Sequence, residues 1–538
     1  MPSVEIAVEG MTCNHCETSV TAALHAAGAT SAQADFRRGR ASADFDGDPA
    51  FLSDAIRQAG YTPGQIESDA TATSAVASRR DGDYDLAIVG SGAAAFAAAI
   101  RATNLGARVV MIERATMGGT CVNVGCVPSK TLLAGADAFH TASTHPFAGL
   151  PTRAGKADVG ALVAQKDELV GQLWQAKYVE VADAYGFEIL HGEAWFTGPD
   201  TLVVDGRELR ATSYLVATGA DPKVPDLPGL AEAGYLTSTT AMELSDLPAR
   251  VVTIGGGFVG MEQSQLLARL GAQVTVVGRL APRAEPELAA WMGRVFADEG
   301  MDAVAQRATT VERDGADKVV VCDDGTRLVS DAILVAVGRS PRVEALDLDA
   351  AGVKLDERGF VAIDEELRTS NPLIFAAGDV TGAPQYVYVA AAQGNLAADN
   401  ALADAQRRMD YTGLPSVIFT DPALASAGMT EAEARSAGHD VVSRVLELEN
   451  VPRALANRDT RGAIKLVADA GSSKVLGVHA VADGAGDVIL AGVYAIKFGL
   501  SVDDLASTWA PYLTMSEALK LVAQSFKGDV RKLSCCAT

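Results

Sequence analysis

Hydrophobic and polar positions follow one pattern twice along the chain. In each copy a short apolar run is followed by a glycine-rich turn, a helical segment and a second apolar run. The copies read DYDLAIVGSGAAAFAAAIRATNLGARVVMIER over residues 83–114 and ARVVTIGGGFVGMEQSQLLARLGAQVTVVGR over residues 249–279. Continuous apolar runs are typical of strands buried on both faces of a parallel sheet. The repeat therefore predicts two related strand–helix–strand units in one chain.

The first 65 residues show a different pattern of shorter elements. Alternating strands and helices are predicted over Val4–Ala7, Glu17–Ala27, Arg40–Phe45 and Pro49–Ala59. That order indicates a small α+β domain over residues 1–65. Residues 66–82 are polar and rich in Ala, Ser and Thr, which is typical of a flexible linker.

The remainder of the chain divides into four segments. The first repeat unit lies within residues 83–245, and the second lies within residues 246–335. Short strands and turns return over residues 336–410, which we assign as a continuation of the first unit. The strands and helices of residues 411–538 are assigned to a separate interface domain.

Length and charge restrict the class of protein. At 538 residues the chain is long enough for several domains with full-sized cores. Its formal net charge of −23 opposes the basic surface that nucleic acid or an anionic membrane requires, so neither is expected as a partner. The sequence contains no apolar run of about 18 residues and no signal-peptide pattern at its start. We therefore expect a soluble, cytoplasmic protein.

Six of the seven cysteines fall in three close pairs. The pairs are Cys13/Cys16, Cys121/Cys126 and Cys535/Cys536. In a reducing compartment, close pairs favour redox or metal chemistry over a structural disulfide scaffold. Cys322 stands alone in a strand-like run and is expected to be a small buried residue.

The first repeat unit carries a candidate dinucleotide site. Its turn, Gly90-Ser-Gly92-Ala-Ala-Ala95, follows an apolar strand and opens a helix. The glycines allow close approach of a pyrophosphate, and the helix N-terminus supplies amide donors. Glu113 ends the next strand, where a carboxylate can accept hydrogen bonds from ribose hydroxyls.

The second repeat unit carries a related glycine turn, but a different residue ends its second strand. Its glycines are Gly255, Gly257 and Gly260. The position equivalent to Glu113 is Gly278, and it is followed by Arg279 and then Arg283. The missing carboxylate and the two guanidinium groups favour a 2′-phosphate, and hence NADPH over NADH.

The segment GGTCVNVGCVPSK, residues 118–130, resembles the active-site signature of the class I pyridine nucleotide-disulfide oxidoreductases. The resemblance extends from about Asp83 to Thr538 and includes two further matching segments, Ala217-Thr-Gly219-Ala220 and Phe375-Ala-Ala-Gly378-Asp379. It implies that the first unit binds FAD and the second binds the nicotinamide nucleotide. The FAD contacts implied by the resemblance are Ala95, Thr120, Lys130, Ala220, Asp379 and Val387.

Cys121 and Cys126 are separated by four residues, which can form a helical turn that brings the sulfurs together. The resemblance implies that Cys126 lies against the flavin and that Cys121 exchanges with substrate. Glu262 matches a glutamate that pairs with an active-site lysine in the family, and Lys130 is its candidate partner. Phe258 stands where several relatives carry a tyrosine over the nicotinamide pocket, so the shielding of that pocket is left open.

The C-terminal sequence bears on the substrate. Disulfide-reducing members of the family carry a His-Pro-Thr-x-Ser-Glu motif, whereas the corresponding run here is Tyr512-Leu-Thr-Met-Ser-Glu517. A phenol titrates near pH 10 and is a poor proton shuttle near neutrality, which disfavours disulfide reduction. The vicinal thiols Cys535 and Cys536 suit a soft cation, because thiolate sulfur selects soft metals.

The segment Gly10-Met-Thr-Cys13-Asn-His-Cys16 resembles the heavy-metal-associated domain, which has a ferredoxin-like βαββαβ fold. A thioredoxin-type redox motif is the alternative. His15 is expected to be solvated rather than a ligand. The sequence therefore indicates an α/β protein with two Rossmann-like domains and an α+β dimerisation domain, preceded by this small domain.

Taken together, the chain resembles the family members that use FAD and NADPH to reduce Hg(II). The resemblance implies a homodimer in which the C-terminal tail reaches the partner's active site and Tyr512 helps to hold or release the metal. The metal ligands expected are Cys13, Cys16, Cys121, Cys126, Cys535 and Cys536. Two alternatives stay open, an NADPH-dependent reductase of a small disulfide and a metal chaperone on a flavoprotein scaffold.

Overall fold

A computed structural model of the protein describes residues 3–12, 14–45, 50–68 and 84–529. The chain divides into two units, Met1–Asp83 and Tyr84–Thr538. No helix within the described residues is long and apolar enough to cross a membrane.

The N-terminal unit is a four-stranded antiparallel sheet with two helices. Its elements are β1 (Ser3–Glu9), α1 (Asn14–Ala26), β2 (Ser31–Asp35), β3 (Arg40–Asp44), α2 (Ala50–Gln58) and β4 (Thr62–Ser68). The strand order is β2-β3-β1-β4. Leu24 and Leu52 on the helices are buried in one core with Val4 and Ile6 of β1. The predicted ferredoxin-like fold is confirmed, while β4 ends at Ser68, within the segment predicted as linker.

The larger unit, Tyr84–Thr538, begins with a parallel sheet and the helices that cover it. Its first elements are β5 (Tyr84–Val89), α3 (Ala93–Asn104), β6 (Val109–Glu113), α4 (Thr120–Val124), α5 (Cys126–Thr144), α6 (Val159–Trp174), a π-helical turn (Gln175–Val179), α7 (Glu180–Tyr185), β7 (Glu188–His191), β8 (Ala194–Gly198), β9 (Thr201–Val204), β10 (Arg207–Leu209), β11 (Ala211–Val216), β12 (Ala220–Pro222), α8 (Leu230–Ala233) and α9 (Ser238–Ala241). Strands β11, β5, β6 and β7 lie side by side in parallel, and β8–β10 form a separate antiparallel sheet.

The second repeat forms its own parallel sheet. Its elements are β13 (Arg250–Ile254), α10 (Phe258–Leu270), β14 (Gln273–Val277), α11 (Pro286–Asp298), β15 (Asp302–Val304), β16 (Ala308–Asp314), β17 (Asp317–Cys322), β18 (Arg327–Ser330) and β19 (Ala332–Val335). The parallel order is β15-β14-β13-β19, and β16–β18 form an antiparallel sheet. Cys322 is buried at the end of β17, as expected.

The chain then returns to the first sheet. The elements here are β20 (Arg339–Pro341), β21 (Ile374–Ala376) and α12 (Val387–Ala403), with single 3₁₀ turns at Glu344–Leu346 and Asp379–Thr381. Strand β21 pairs in parallel with β11, which completes a five-stranded sheet. Helix α12 packs so closely on α3 that a Cβ at Gly394 would collide with the Ala94 carbonyl oxygen.

The last block is an antiparallel sheet covered by helices. Its elements are β22 (Pro415–Ile418), β23 (Ala423–Gly428), α13 (Glu431–Ser436), β24 (Val441–Glu447), a 3₁₀ turn (Leu448–Asn450), α14 (Pro452–Asn457), β25 (Ala463–Asp469), β26 (Val475–Ala482), α15 (Ala485–Lys497), α16 (Val502–Ser507) and α17 (Glu517–Gln524). The strand order is β22-β23-β26-β25-β24. Trp509 (93%) and Phe498 (72%) are largely exposed in this single chain. Large exposed apolar side chains are typical of surfaces that contact another protein.

A buried arginine joins three parts of the larger unit, Tyr84–Thr538. The Arg269 side chain on α10 is only 1% exposed, and its guanidinium pairs with Glu299 at 2.6 Å and with Asp421 at 3.0 Å. It also pairs with Asp137 on α5. Because a buried charge is tolerated only when it is fully partnered, this network fixes α5 against α10 and against the loop after β22.

We expect Arg269→Met to lower the free energy of unfolding by about 3–5 kcal/mol, because it leaves the buried Glu299 carboxylate without its main partner. Arg210→Met is the matched control, since the Arg210–Asp200 pair at 3.0 Å is half-exposed and contributes at most about 1 kcal/mol. Thermal unfolding of the purified variants measures both effects. Equal shifts in Tm for the two variants would contradict this assignment.

Candidate active site

The structure brings the sulfurs of Cys121 and Cys126 together at a helix break. Cys121 lies in α4, Cys126 is the first residue of α5, and Gly125 separates the two helices. A Cβ at Gly125 would lie 2.9 Å from the Thr120 carbonyl oxygen, so only glycine fits this sharp connection. Both cysteines are free thiols.

The two thiols have opposite acidities. The pKa of Cys126 is lowered to about 7, first by the side-chain hydrogen bond from Cys121 and then by the charge of Lys130, while burial and the charge of Glu262 act in the opposite direction. The same hydrogen bond, together with burial, raises the pKa of Cys121. Cys121 is therefore the donor, and Cys126, at the N-terminus of α5, carries the thiolate near neutral pH.

Lys130 links the dithiol to the second repeat unit. Its Nζ lies 2.7 Å from a carboxylate oxygen of Glu262 on α10. The other carboxylate oxygen of Glu262 accepts a hydrogen bond of 2.9 Å from the backbone N–H of Phe419, and Nζ of Lys130 lies 4.5 Å from the centre of the Phe419 ring. The structure thus places the Lys130–Glu262 pair as the sequence predicted, with Phe419 as an additional partner.

Three side chains that the sequence analysis missed hold the segment before Cys121. The indole N–H of Trp174 donates to the Met117 carbonyl at 3.0 Å, and the Asn123 amide donates to the same oxygen at 2.9 Å. The Tyr178 ring lies so close to Gly118 that a Cβ there would lie 2.5 Å from it. Trp174 directly precedes the π-helical turn and Tyr178 lies within it, and no pattern in the sequence indicates that turn.

Tyr178 is also close enough to the dithiol to respond to it. Burial and the charges of Cys121 and Cys126 raise its pKa to about 12. The phenol is therefore neutral at physiological pH.

The first glycine turn leaves room for a pyrophosphate. Gly90 has a positive φ of 105°, and a Cβ there would collide with the Ala217 carbonyl oxygen. Nothing lies within 4 Å of a Cβ built on Gly92, which caps α3, so the helix N-terminus faces open space. Glu113 accepts a hydrogen bond of 2.6 Å from the Ser91 hydroxyl at the end of β6. Glycine turn, helix N-terminus and carboxylate are therefore together.

A second group of polar residues, Asp379 and Arg339, belongs to the part of the chain that completes the first nucleotide-binding unit. Asp379 lies 3.3 Å from an Nη atom of Arg339, and burial raises the pKa of its carboxyl. The Nε of Arg339 is buried without a hydrogen-bond partner in the described part of the chain. An incompletely satisfied guanidinium beside a carboxyl fits a ligand with phosphate and hydroxyl groups. Asp379 is among the residues predicted from the sequence, whereas Arg339 is not.

The other predicted FAD contacts lie in four different elements of the larger unit. Ala95 is buried within α3, Thr120 begins α4, Ala220 begins β12 and Val387 begins α12. The open helix end and the unsatisfied Arg339 together fit the pyrophosphate and ribityl groups of FAD.

The second glycine turn repeats the arrangement of the first. Cβ atoms at Gly255 and Gly260 would collide with backbone carbonyl oxygens, whereas Gly257 at the start of α10 faces open space. Arg279 and Arg283 both lie exposed beyond β14. Two exposed cations that follow the strand after this turn fit a nucleotide that carries an extra phosphate.

The remaining predicted residues lie elsewhere or outside the described chain. Tyr512 is 53% exposed in the loop before α17, where Glu517 accepts a hydrogen bond of 3.2 Å from the Leu513 N–H. Cys16 lies on α1, and its sulfur lies 3.5 Å from the Thr12 N. Cys13, Cys535 and Cys536 lie outside the described residues. Within those that are described, no group of three or more His, Cys, Asp or Glu side chains could hold a metal ion.

Family models match three parts of the chain. Residues 84–394 match the pyridine nucleotide-disulphide oxidoreductase model, residues 414–523 match the dimerisation domain of the same family, and residues 5–62 match the heavy-metal-associated domain.

Two curated relatives cover most of the sequence. A protein from Staphylococcus aureus named mercuric reductase is 46% identical over 99% of this chain and 99% of its own length. Another protein of that name, from Streptomyces lividans, is 53% identical over 84% of this chain and 98% of its own.

A solved structure shows the same fold for the larger unit. It is a Cu(II) complex of a mutant of the HOCl-induced flavoprotein disulfide reductase RclA from Escherichia coli. It aligns with a TM-score of 0.75 at 28% identity and covers 83% of this chain and 100% of that one.

The fold and the site define an oxidoreductase with a dithiol beside two dinucleotide-binding units. The chain belongs to the pyridine nucleotide-disulphide oxidoreductase family, whose members use FAD and NADPH, and it carries an N-terminal heavy-metal-associated domain. The predicted family and fold class are thereby confirmed.

The pKa of Cys126 predicts how the rate of its alkylation changes with pH. In the reduced protein, alkylation of Cys126 by iodoacetamide should rise with pH and reach half its maximum rate near pH 7, because only the thiolate reacts. Lys130→Met should move this midpoint upward, and Glu262→Gln should move it downward, since their charges act on Cys126 with opposite signs.

Mass spectrometry of the peptide containing Cys126 follows the modification at that residue alone. Lys156→Met, far along the chain from the dithiol, is the control and should leave the midpoint unchanged. Midpoints that move in the same direction for Lys130→Met and Glu262→Gln would contradict the electrostatic account.

Proposed function

We propose that this chain is an NADPH-dependent FAD enzyme that reduces Hg(II) to Hg(0). The observation that carries the proposal is the free Cys121/Cys126 pair, which holds a thiolate near neutral pH at the junction of two nucleotide-binding units. The relatives named mercuric reductase support it over nearly the full length of the chain. The overall reaction is Hg²⁺ + NADPH → Hg⁰ + NADP⁺ + H⁺.

In this proposal the two cysteines are the last ligands of the substrate metal. Cys121 exchanges with the incoming Hg(II) and releases its proton to solvent as its sulfur binds, and the Cys126 thiolate completes the pair of ligands, because Hg(II) is soft and prefers thiolate ligands. Lys130 keeps the Cys126 thiolate charged while Glu262 holds the Lys130 ammonium in place. When bound, FAD would serve as the two-electron carrier between NADPH and the metal.

The cofactor residues are assigned in the same way. The turn from Gly90 to Ala95, together with Glu113 and Asp379, binds FAD, and Arg339 adds a cation to that site. The turn from Gly255 to Gly260 binds NADPH, with Arg279 and Arg283 at its 2′-phosphate. These assignments follow from the open helix ends and from the charged groups beside them.

The other two cysteine pairs deliver the metal. Cys13 and Cys16 capture Hg(II) on the N-terminal domain, and Cys535 and Cys536 pass it to the active site of the partner subunit in a homodimer. The matched dimerisation domain supports the dimer, and Tyr512 takes part in transfer at the interface. We place the protein in the cytoplasm, where NADPH and reduced thiols are maintained.

We propose the following boundaries for the domains of the chain. The metal-binding domain, predicted as residues 1–65, extends to Ser68, where β4 ends, and the linker follows it up to residue 82. The FAD domain comprises residues 83–245 and 336–410, and the NADPH domain lies between them at 246–335. Residues 411–538 form the dimerisation domain and its tail.

Anaerobic NADPH consumption with Hg(II) and excess thiol, with detection of volatile Hg(0), tests the function directly. The wild-type protein should oxidise one NADPH for each Hg(0) released. A Cys535→Ala/Cys536→Ala variant should lose turnover with thiol-bound Hg(II) but keep flavin reduction by NADPH, because the tail acts only in delivery. NADPH oxidation that responds to glutathione disulfide and not to Hg(II) would identify a disulfide reductase instead.

The nucleotide preference gives an independent prediction. Arg279→Ala should raise the KM for NADPH by about ten- to a hundredfold, because one charged hydrogen bond to a phosphate contributes about 1.5–3 kcal/mol. The KM for NADH should change little, and steady-state kinetics with both nucleotides measure the difference. Arg294→Ala is the control, since its guanidinium lies 4.5 Å from the Trp291 ring on α11. An unchanged ratio of the two KM values in Arg279→Ala would reject the assignment.

A further inference from the structure

The segment that carries Arg279 and Arg283 is held at both of its ends. It connects β14 to α11, and both arginine side chains are exposed. At the first end, the N–H of Ala281 donates a hydrogen bond of 2.9 Å to the carbonyl of Gly256 in the glycine turn. Ala281 itself is buried, so the segment is fixed against that turn. We refer to residues 279–285 as the arginine segment.

The side chain of Glu285 fixes the other end of the arginine segment. Glu285 is 2% exposed and caps α11 with its backbone carbonyl, which accepts the N–H groups of Leu288 and Ala289. Its carboxylate makes no hydrogen bond to its own helix, although a carboxylate at this position commonly does. One carboxylate oxygen lies 2.9 Å from Nζ of Lys465, and the other accepts the N–H of Glu431 at 2.5 Å. The carboxylate therefore ties the segment to the C-terminal block.

Lys465 is the cation in this contact. It lies on β25 of the C-terminal sheet, and its side chain is 2% exposed. Besides Glu285, its ammonium lies 3.0 Å from Glu287 and 2.9 Å from Glu431. The ring of His479, 3.9 Å from Glu285, is neutral near pH 7 because burial lowers its pKa. Loss of the Lys465 charge would thus leave the buried Glu285 carboxylate without its cation.

We propose that Lys465 is a positioning residue for the 2′-phosphate of NADPH and acts through Glu285 on the arginine segment. The C-terminal sheet then helps to select NADPH over NADH by holding this segment in place. The inference rests on the proposed NADPH site at Arg279 and Arg283.

The first physical argument for this role is geometric. A guanidinium binds a phosphate through hydrogen bonds of fixed direction, so the backbone that carries it must be held in place. Arg283 stands only two residues before Glu285, and a movement of the Glu285 backbone is passed directly to it. Arg279 lies next to the anchor at the glycine turn. Lys465 should therefore act mainly on Arg283.

The second argument concerns what a buried ion cluster can contribute. The cost of removing charges from water offsets most of their attraction, so such a cluster adds little stability beyond well-packed apolar residues. It does specify one arrangement, because a displaced carboxylate or ammonium is left buried and unpaired. A cluster that joins the end of the arginine segment to another sheet is thus suited to fixing the position of that segment.

The experiment uses the purified holoenzyme without mercury. Lys465→Met removes the ammonium and keeps a side chain of similar length. Lys166→Met is the matched control, because Lys166 on α6 is an equally buried lysine (1% exposed) that pairs with Asp167 at 2.6 Å and Glu243 at 2.7 Å. Glu285→Gln removes the charge that Lys465 pairs with, and it serves as the second variant if Lys465→Met fails to fold.

The Kd values of NADP⁺ and NAD⁺, which differ only in the 2′-phosphate, are measured together with the anaerobic rate of flavin reduction at saturating NADPH. For Lys465→Met we expect the Kd of NADP⁺ to rise about three- to tenfold, less than on loss of an arginine, because both guanidinium groups remain. The Kd of NAD⁺ and the limiting rate should stay within about twofold of wild type. Glu285→Gln should shift the Kd of NADP⁺ in the same direction, and Lys166→Met should match wild type.

A further variant tests whether Lys465 acts through the arginines. In an Arg279→Ala/Arg283→Ala protein, the additional Lys465→Met change should alter the Kd of NADP⁺ by less than about twofold, because no guanidinium is left to be positioned. A role confined to stability would lower the affinity by the same factor in both backgrounds.

Equal rises in the Kd of NADP⁺ and NAD⁺ would overturn the proposal, because they indicate general damage to the second repeat unit. An unchanged Kd of NADP⁺ in Lys465→Met or, where that variant does not fold, in Glu285→Gln would also overturn it. So would an undiminished effect of Lys465→Met in the protein that lacks both arginines.

The outcome is separable from the proposed function. If Arg279→Ala/Arg283→Ala leaves the preference for NADP⁺ unchanged, the proposed NADPH site is wrong and this inference falls with it. If that preference is lost but Lys465→Met has no effect, only this inference is wrong. None of these measurements contains Hg(II), so the ability to reduce mercury is tested independently.

Discussion

The structure depends on one contact between two helices, the ion pair of Lys130 on α5 with Glu262 on α10. Two helical turns further along both helices, Asp137 on α5 pairs with Arg269 on α10. The charges are reversed at the second pair, and both residue numbers increase in step, so the helices run in parallel with a single register. A shift by two turns would place Lys130 opposite Arg269 and bring like charges together, so the two pairs favour the register that sets Cys126 at the start of α5 relative to the second nucleotide unit.

The same contact sets the chemistry of the dithiol. Lys130 favours the Cys126 thiolate, and Glu262 both restrains Lys130 and opposes its effect on the pKa of Cys126. The balance leaves a thiolate that forms near neutral pH and is not permanently ionised. Because Glu262 also accepts the Phe419 N–H, the interface block takes part in placing the charge next to the sulfur. Stability and reactivity therefore share one set of side chains.

Much of the fold could be predicted because its signals are local. The glycine turns at Gly90 and Gly255 need a backbone that only glycine adopts readily, and apolar runs of strand length surround them. The helix predicted to open at the Gly90–Ala95 turn is observed as Ala93–Asn104. The strand Ser31–Asp35 was missed, because the alternation in SAQAD consists of two small alanines and only one of its positions is fully buried.

The sequence by itself determined the two nucleotide-binding units, the cysteine motif, and the pairs of charged residues that could act beside it. Only the tertiary structure decided which groups meet: Arg339 with Asp379, Trp174 with the Met117 carbonyl, and Tyr386 with Phe258. The physical reason is distance along the chain. Turn geometry and hydrophobic period are set by neighbouring residues, whereas these contacts join segments brought together only when separate helices and sheets pack.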